Sequence, residues 1–352
     1  MAAPRAKAVP ASAPSSVPKR STDPAHTRHS SPATGVTETP SGAAPTVGRR
    51  IWGEDGPVAA AGLTGISVPA SSRRVVSLAA YAPGVTSPVV EVTTRGGRIA
   101  AFLQQSVVRG LDAGGTAFIS PSLEPAVSVT IPGVRILSAT VVASATAAPG
   151  WDDADPILRL LAPDAAAEAT VVLTPAPGQE GEASSFVVEL AAGEVMEFPL
   201  TAGVLAELNS TLADGVYAVA VESDAPLVAG VRASTAVAAA DAAAVPTSDL
   251  AWFTSAPTLP ESVAVQVAAG PSPILSIANP GDTAASVSVA GVLDPISVPA
   301  GGVVGVPVLA GLVELAGTSG LSAQVSFAGA AQLGAYPVVP PRPLAEAVVI
   351  RL

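Results

Sequence analysis

Two stretches of this 352-residue chain run through the same series of strand and turn signals, and that internal repeat limits the folds open to it. One copy reads Pro156-Ile-Leu-Arg-Leu-Leu-Ala-Pro163, then Thr170-Val-Val-Leu-Thr174, then Leu190-Ala-Ala-Gly-Glu-Val-Met-Glu-Phe-Pro-Leu200, and closes on Val216–Gly230. The other reads Pro273-Ile-Leu-Ser-Ile-Ala-Asn-Pro280, Ala285-Ser-Val-Ser-Val289, Val298–Val308 and Leu321–Ala335. Short apolar runs that alternate with small polar residues bury one face of a strand. The 35 prolines and 32 glycines punctuate those runs as turns do. A duplicated unit of six or so short strands points to an all-β fold of tandem immunoglobulin-like antiparallel β-sandwich domains.

Residues 68–110 resemble the back half of a third copy. Pro88–Thr94 and Arg98–Gln105 flank Gly96-Gly97 in the manner of a hairpin, at the place held later by Val216–Gly230 and Leu321–Ala335. Phe118–Pro125 and Ala251–Pro260 match as connectors, each an aromatic, Ser and Pro segment leading into a strand. Such connectors are expected to pack against the domains they join. Residues 1–50 contain no Phe, Trp, Tyr, Ile or Leu and are rich in Ala, Pro, Ser and Thr. A segment of that composition buries too little apolar area to offset its ordering entropy, so a disordered tail is expected there. The resulting domain plan is a tail over 1–50, a partial β-sandwich over 51–149, and full sandwiches over 150–245 and 246–352. Val204–Leu208 suits a helical turn, and Val237–Ala244 is Ala-rich but short for a helix. Leu344–Leu352 reads as a last strand that could complete the deficient first domain.

Net charge is −11, unevenly spread: residues 1–50 carry about +5 and the remainder −16. An acidic body repels phosphate backbones, so nucleic acid is not an expected partner. Cysteine is absent, which excludes disulfides, thiolate metal sites and a cysteine nucleophile. No apolar stretch reaches the roughly 18 residues of a membrane span. No export signal with an apolar core is present either. Arg49-Arg50 is followed by Ile51-Trp-Gly-Glu-Asp55, whose acids do not suit a twin-arginine signal.

Candidate chemistry is sparse. The two histidines, His26 and His29, fall in the expected tail, where no rigid partner can hold an imidazole for a catalytic triad. Trp151-Asp152-Asp153-Ala154-Asp155 is the densest acidic cluster, and Asp152, Asp153 and Asp155 are the metal-ligand candidates because a hard cation such as calcium seeks several carboxylates. The cluster lacks the spacing of a calcium hand, so a solvated linker is the plainer reading. Glu189, Glu194 and Glu197 gather near one turn, yet acids at strand ends are ordinary surface. Arg95 and Arg98 frame a hairpin tip and could hold an anionic polymer, or simply be solvated. Trp52, Trp151 and Trp252 each fall at an expected domain junction, which favours packing between domains over a carbohydrate platform.

Val75-Val-Ser-Leu-Ala-Ala-Tyr-Ala-Pro-Gly84, Val89-Val-Glu-Val92, Arg98-Ile-Ala-Ala-Phe102 and Asp224–Gly230 together resemble the actinobacterial family called domain of unknown function 5719. The resemblance covers about 51–352. It implies an extracytoplasmic protein, ordinarily tethered by an amino-terminal membrane segment, and carries over neither an activity nor catalytic residues. The expected protein is thus a non-catalytic structural or binding component of the cell envelope, without cofactors. Its expected partners are an envelope protein or a cell-wall polymer, and it would meet the membrane only through an anchor that this chain does not include. An adhesin-like module for carbohydrate or calcium is the alternative, and a polysaccharide-modifying enzyme stands behind it.

Overall fold

The computed structural model describes residues 27–37, 46–109, 112–147, 151, 153–201, 212–237 and 247–341. They form an all-β structure of antiparallel sheets, with one α-helix, Ala139–Ala147, among the described residues. The strands fall into three consecutive sets. The first holds β1 (Thr27–Thr37), β2 (Thr46–Gly53), β3 (Gly56–Pro57), β4 (Ile66–Ser67), β5 (Arg73–Ser77), β6 (Val89–Arg95), β7 (Ala100–Arg109) and β8 (Asp112–Ile119). The second holds β9 (Ala126–Ile136), β10 (Ile157–Leu161), β11 (Ala167–Pro175), β12 (Ser184–Leu190), β13 (Val195–Pro199), β14 (Gly215–Val237) and β15 (Thr247–Thr254). The third holds β16 (Ser262–Val267), β17 (Ile274–Ala278), β18 (Ala285–Val289), β19 (Ile296–Val298), β20 (Val303–Pro307), β21 (Gly311–Ala316), β22 (Ser322–Gly329) and β23 (Gln332–Pro337).

The third set states the pattern most simply. Its sheets run β16-β21-β18-β19 and β20-β17-β22-β23. Val263, Val265 and Val267 point inward from one sheet, Leu275, Ile277, Ala323 and Val325 from the other, and all belong to one buried core. Period-two alternation produces this directly, since every second residue of Ser262–Val267 is buried. Two facing sheets with a shared apolar interior are consistent with a β-sandwich.

The second set repeats that neighbour order with one strand fewer. The first half of the 23-residue β14 lies between β9 and β11, as β21 lies between β16 and β18. Its second half lies between β10 and β15, as β22 lies between β17 and β23. β14 is therefore the counterpart of β21 and β22 joined end to end. The pair is separated in the third set by Gly317 and Gly320, both at positive φ. Val216–Gly230 lies along this one strand, whereas Leu321–Ala335 turns back as the β22–β23 hairpin. The positions match in sequence, but not in what the backbone does.

The first set has the same order once more. β5-β1-β7-β8 corresponds to β20-β17-β22-β23, and β6-β2-β4 to β21-β18-β19. This corrects the reading of residues 1–50 as a continuous disordered tail. β1 is paired on both edges, by β5 and β7, and β2 begins at Thr46 with Val47 and Arg49 buried. A central strand has its amides satisfied by both neighbours, so it does not depend on large apolar side chains of its own. The front strands of the first set thus lie in the segment whose composition argued against order. The tail expectation for 1–26 and 38–45 falls outside the described residues. So do the helical turn expected at Val204–Leu208, the Ala-rich Val237–Ala244 beyond Val237, and the final strand expected over 344–352.

Pairing also runs across residues 149–150 and 245–246, since β9 and β15 both join β14. The breaks between sets fall at the two connectors. These are held on both sides: Leu123 N–H donates to Ser255 Oγ at 3.1 Å, Ala256 N–H to Thr130 O at 3.0 Å, and Leu259 N–H to Leu321 O at 2.7 Å.

One glycine fixes how the second and third sets meet. β9 bulges between Ile131 and Val134, and Gly133 there has φ +69°. Pro132 O accepts from Gln324 Nε2 at 3.0 Å, and a Cβ on Gly133 would overlap the Ser276 side chain. Gly133→Ala should therefore destabilise the protein by about 2–4 kcal/mol, combining left-handed strain with overpacking. Urea denaturation checks this against Gly65→Ala, where φ is also positive but nothing lies within 4 Å of a Cβ, so only the strain remains.

Candidate functional site

Arg159 sits in the middle of β10, where Leu158 and Leu160 face the core and are fully buried. Alternation turns Arg159 to the opposite side, toward the first set and β15. Its Nε and Nη2 both donate to Glu197 Oε1, at 3.0 and 2.6 Å, from the directly opposed position on β13. Nη1 donates to Pro88 O at 3.0 Å, and the guanidinium lies 4.4 Å from the Trp252 ring centroid. Trp252 Nε1 donates to Gln105 Oε1 at 2.7 Å. One guanidinium thus ties β10 and β13 to β15 and to the first set at Pro88, and Trp252 adds a second point at Gln105. All three of its nitrogens are engaged.

Burial disfavours the charged form and pulls Arg159 below the usual guanidinium pKa; Glu197 opposes this strongly, Arg232 adds to it, and Glu54 opposes it. For Glu54, partial burial would raise the pKa. Hydrogen bonds from backbone amides at Glu54, Thr86 and Ser87 and from the Thr86 hydroxyl outweigh it, so the carboxyl lies below its usual range. The Arg159 side chain is 12% exposed and that of Glu197 33%.

Two further junction contacts surround this centre. Trp52 is buried against Leu161 and Val195, joining the first set to β10 and β13. Arg50 stacks over its ring at 4.6 Å and meets Glu91 at 3.5 Å. Asp249, on β15, accepts from Thr116 N–H through Oδ1 at 3.2 Å and from Leu333 N–H through Oδ2 at 3.0 Å. Its two oxygens therefore hold strands of the first and third sets to the second.

The acidic cluster is placed differently from a solvated linker. Asp152 lies outside the described residues. The Asp153 carbonyl accepts from the Ser234 hydroxyl at 2.7 Å, and Asp155 Oδ1 accepts from Thr201 N–H at 2.9 Å. Trp151 Nε1 donates to Ser234 Oγ at 2.8 Å, and Ala154 between them is fully buried. The segment is pinned down on β14 and the turn after β13. Among the described residues no group of three or more His, Cys, Asp or Glu is gathered as a metal would require. Glu189 and Glu194 are exposed while Glu197 is taken by Arg159, and Arg95 and Arg98 are exposed at their hairpin tip. No helix among the described residues is long and apolar enough to cross a membrane.

The family model described as a family of unknown function, DUF5719, matches residues 27–332. The chain belongs to this family. No curated protein and no solved structure matches it. The matched span opens on β1 and ends at Gln332, the first residue of β23, so it takes in both connectors and the strands up to β22 of this DUF5719 chain.

Sequence reasoning about this DUF5719 chain missed Arg159 and Arg49. Arg49 is 4% exposed, on the inward face of β2 between Val47 and Ile51. Its guanidinium stands 4.9 Å from the Tyr81 ring centroid, and Nη2 makes one long contact of 3.5 Å with Gly62 O. Nε and Nη1 are buried without a hydrogen-bond partner. A cation–π contact returns only about 0.5–2 kcal/mol, less than the desolvation of a buried charge. The only advance signal was an arginine in phase with two apolar strand residues.

These two arginines lead to opposite expectations. Arg49→Met should stabilise the protein by about 1–2 kcal/mol, because an uncompensated buried cation is replaced by an apolar stem. Glu197→Ala should destabilise by about 1–3 kcal/mol, because it strands the more deeply buried partner. The double variant Arg159→Met with Glu197→Ala should recover part of that loss. Urea denaturation of the four proteins, with wild type, measures all three differences.

Proposed function

We propose that this chain is a non-catalytic structural or binding protein on the extracytoplasmic side of the cell envelope, built from tandem immunoglobulin-like sandwiches. The observation that carries the reading is where its convergent polar groups point. Arg159 with Pro88 O, Trp252 with Gln105, and Asp249 with two backbone amides all join one strand set to another. Charged groups in an active site are held toward substrate with capacity left to react. Here they are saturated by the protein itself, and what they produce is a fixed order of sheets. The threefold neighbour order supports the tandem reading. The Cys-free, acidic body and the likeness of its motifs to an extracytoplasmic family support the location. Fold-to-function transfer is weak evidence by itself, so the test has to be made on cells.

Intact cells of the native host are treated with protease, and the chain is followed by immunoblot beside a cytosolic marker. The expected result is loss of the chain while the marker survives. Full protection of the chain, with recovery in the cytosolic fraction, would overturn the envelope assignment.

A further inference from the structure

Strands of the third set alternate in direction, so four connections lie at one end: residues 268–273, 290–295, 308–310 and 330–331. These connections contain a single charged residue, Asp294, in a chain of net charge −11. Leu293 is 99% exposed, Leu309 85%, and Leu312, at the start of β21, 64%. Ala290 N–H donates to Glu314 O at 2.9 Å, which lays the 290–295 turn alongside β21 and brings the leucines to one region. Single exposed leucines are ordinary on any protein; two on neighbouring turns and a third at the start of the adjoining strand, with one charge in the turns, are not.

The turns are held firmly. Ala268 N–H donates to the Tyr336 hydroxyl at 3.1 Å, which donates in turn to Gln266 O at 2.9 Å. Val308 N–H donates to Pro273 O and Ala328 N–H to Pro271 O, both at 3.1 Å. The 330–331 turn faces the second set, since Leu333 N–H donates to Asp249. The open part of this end is therefore the part that carries the leucines.

We propose that this end of the third set inserts its leucines into the interface of an electrically neutral lipid bilayer. The occupant follows from shape, area and charge. Leu293 and Leu309 stand outward on turns, and a nearly fully exposed side chain lies in no groove of its own protein. A bilayer accepts such side chains independently, with no complementary surface to match. A stable contact between two copies needs about 800 Å² from each partner, more than three leucines on turns provide. No basic residue lies in these turns, and the acidic body repels anionic headgroups, so neutral lipid is preferred and added salt should restore binding to anionic lipid. This deepens the binding role proposed above by naming a lipid partner. It is scored on purified protein, so its failure leaves the result of the cell-surface experiment standing.

The full chain is floated with phosphatidylcholine vesicles and compared with the double variant Leu293→Asp, Leu309→Asp. Wild type is expected to float with the vesicles. The variant should lose about tenfold or more of the bound fraction, since each leucine contributes at least a factor of that order, at unchanged melting temperature. No flotation of wild type at any salt concentration, or equal flotation of the variant, overturns the proposal. Concentration-dependent self-association that the same substitutions abolish, with no vesicle binding, overturns it in favour of a second copy.

Discussion

Every amide of β14 has to find a partner on one edge or the other, and the arrangement of the second set follows from how this is met. A strand of 23 residues cannot stay in one twisted sheet without outrunning its neighbours. β14 resolves this by changing sheets. Its register with β9 shifts between Glu222 and Leu227, and beyond that point its partners are β10 and β15. Pro226, which has no N–H to offer a ladder, falls within the shift. Ser223 Oγ donates to Ala225 O at 2.6 Å, and Asp224 Oδ1 accepts from Glu168 N–H at 2.9 Å, so polar groups freed by the shift are taken up nearby. One strand thereby belongs to both sheets, and its residues Val219, Val221, Leu227 and Val231 contribute to a single core.

That constraint explains why the second set is where the others attach. Its sheets are linked by continuous backbone, and the third set approaches through the β9 bulge while the first approaches through β10, β13 and β15. The attachments differ in kind. The β9 bulge meets the third set by close approach at Gly133 and a neutral hydrogen bond from Gln324 to Pro132, the first set is held by an arginine and two tryptophans, and Asp249 holds both. Among the described side chains, the apolar clusters of the first set are small: Ile51, Leu63, Leu78 and Ala82 form one and Val47 with Val68 another. A charge-assisted bond at low exposure is stronger than a neutral one, and aromatic rings add large contact area.

How much of this could be read beforehand depends on the range over which each signal acts. Alternation in Ser262–Val267 and Ser184–Leu190 is local, and both are strands with alternate residues buried. The connectors Phe118–Pro125 and Ala251–Pro260 also carried their position in their residues. Asp224-Ala-Pro-Leu227, by contrast, has turn composition yet continues a strand, because pairing partners on both sides outweigh the local preference. β1 lacked any apolar signature, and its place between β5 and β7 is set by partners tens of residues away. Arg159 and Trp252 are distant in sequence and meet only because β10 and β15 flank the same half of β14. Nothing local distinguishes Arg159 from a solvent-facing strand residue. Asp153 and Asp155 read as a solvated linker for the complementary reason, since composition reports polarity and not the Thr201 and Ser234 groups that hold them.

Arg49 and Arg159 show why polar burial and polar function must be separated in such a fold. Both are strand arginines of low exposure near an aromatic ring, at 4.9 Å from Tyr81 and 4.4 Å from Trp252. Arg159 has a carboxylate opposite it in register, because β13 supplies Glu197 at the facing position. Arg49 faces Val92 on β6 in the same sense, and no carboxylate can reach it from there. A buried cation with a partner fixes the geometry of a junction; one without a partner lowers stability and fixes little. Cross-strand register thus separates the two arginines. The groups left to meet anything outside are those that register leaves outside, among them the leucine turns at the end of the third set, where Asp294 is the one charge.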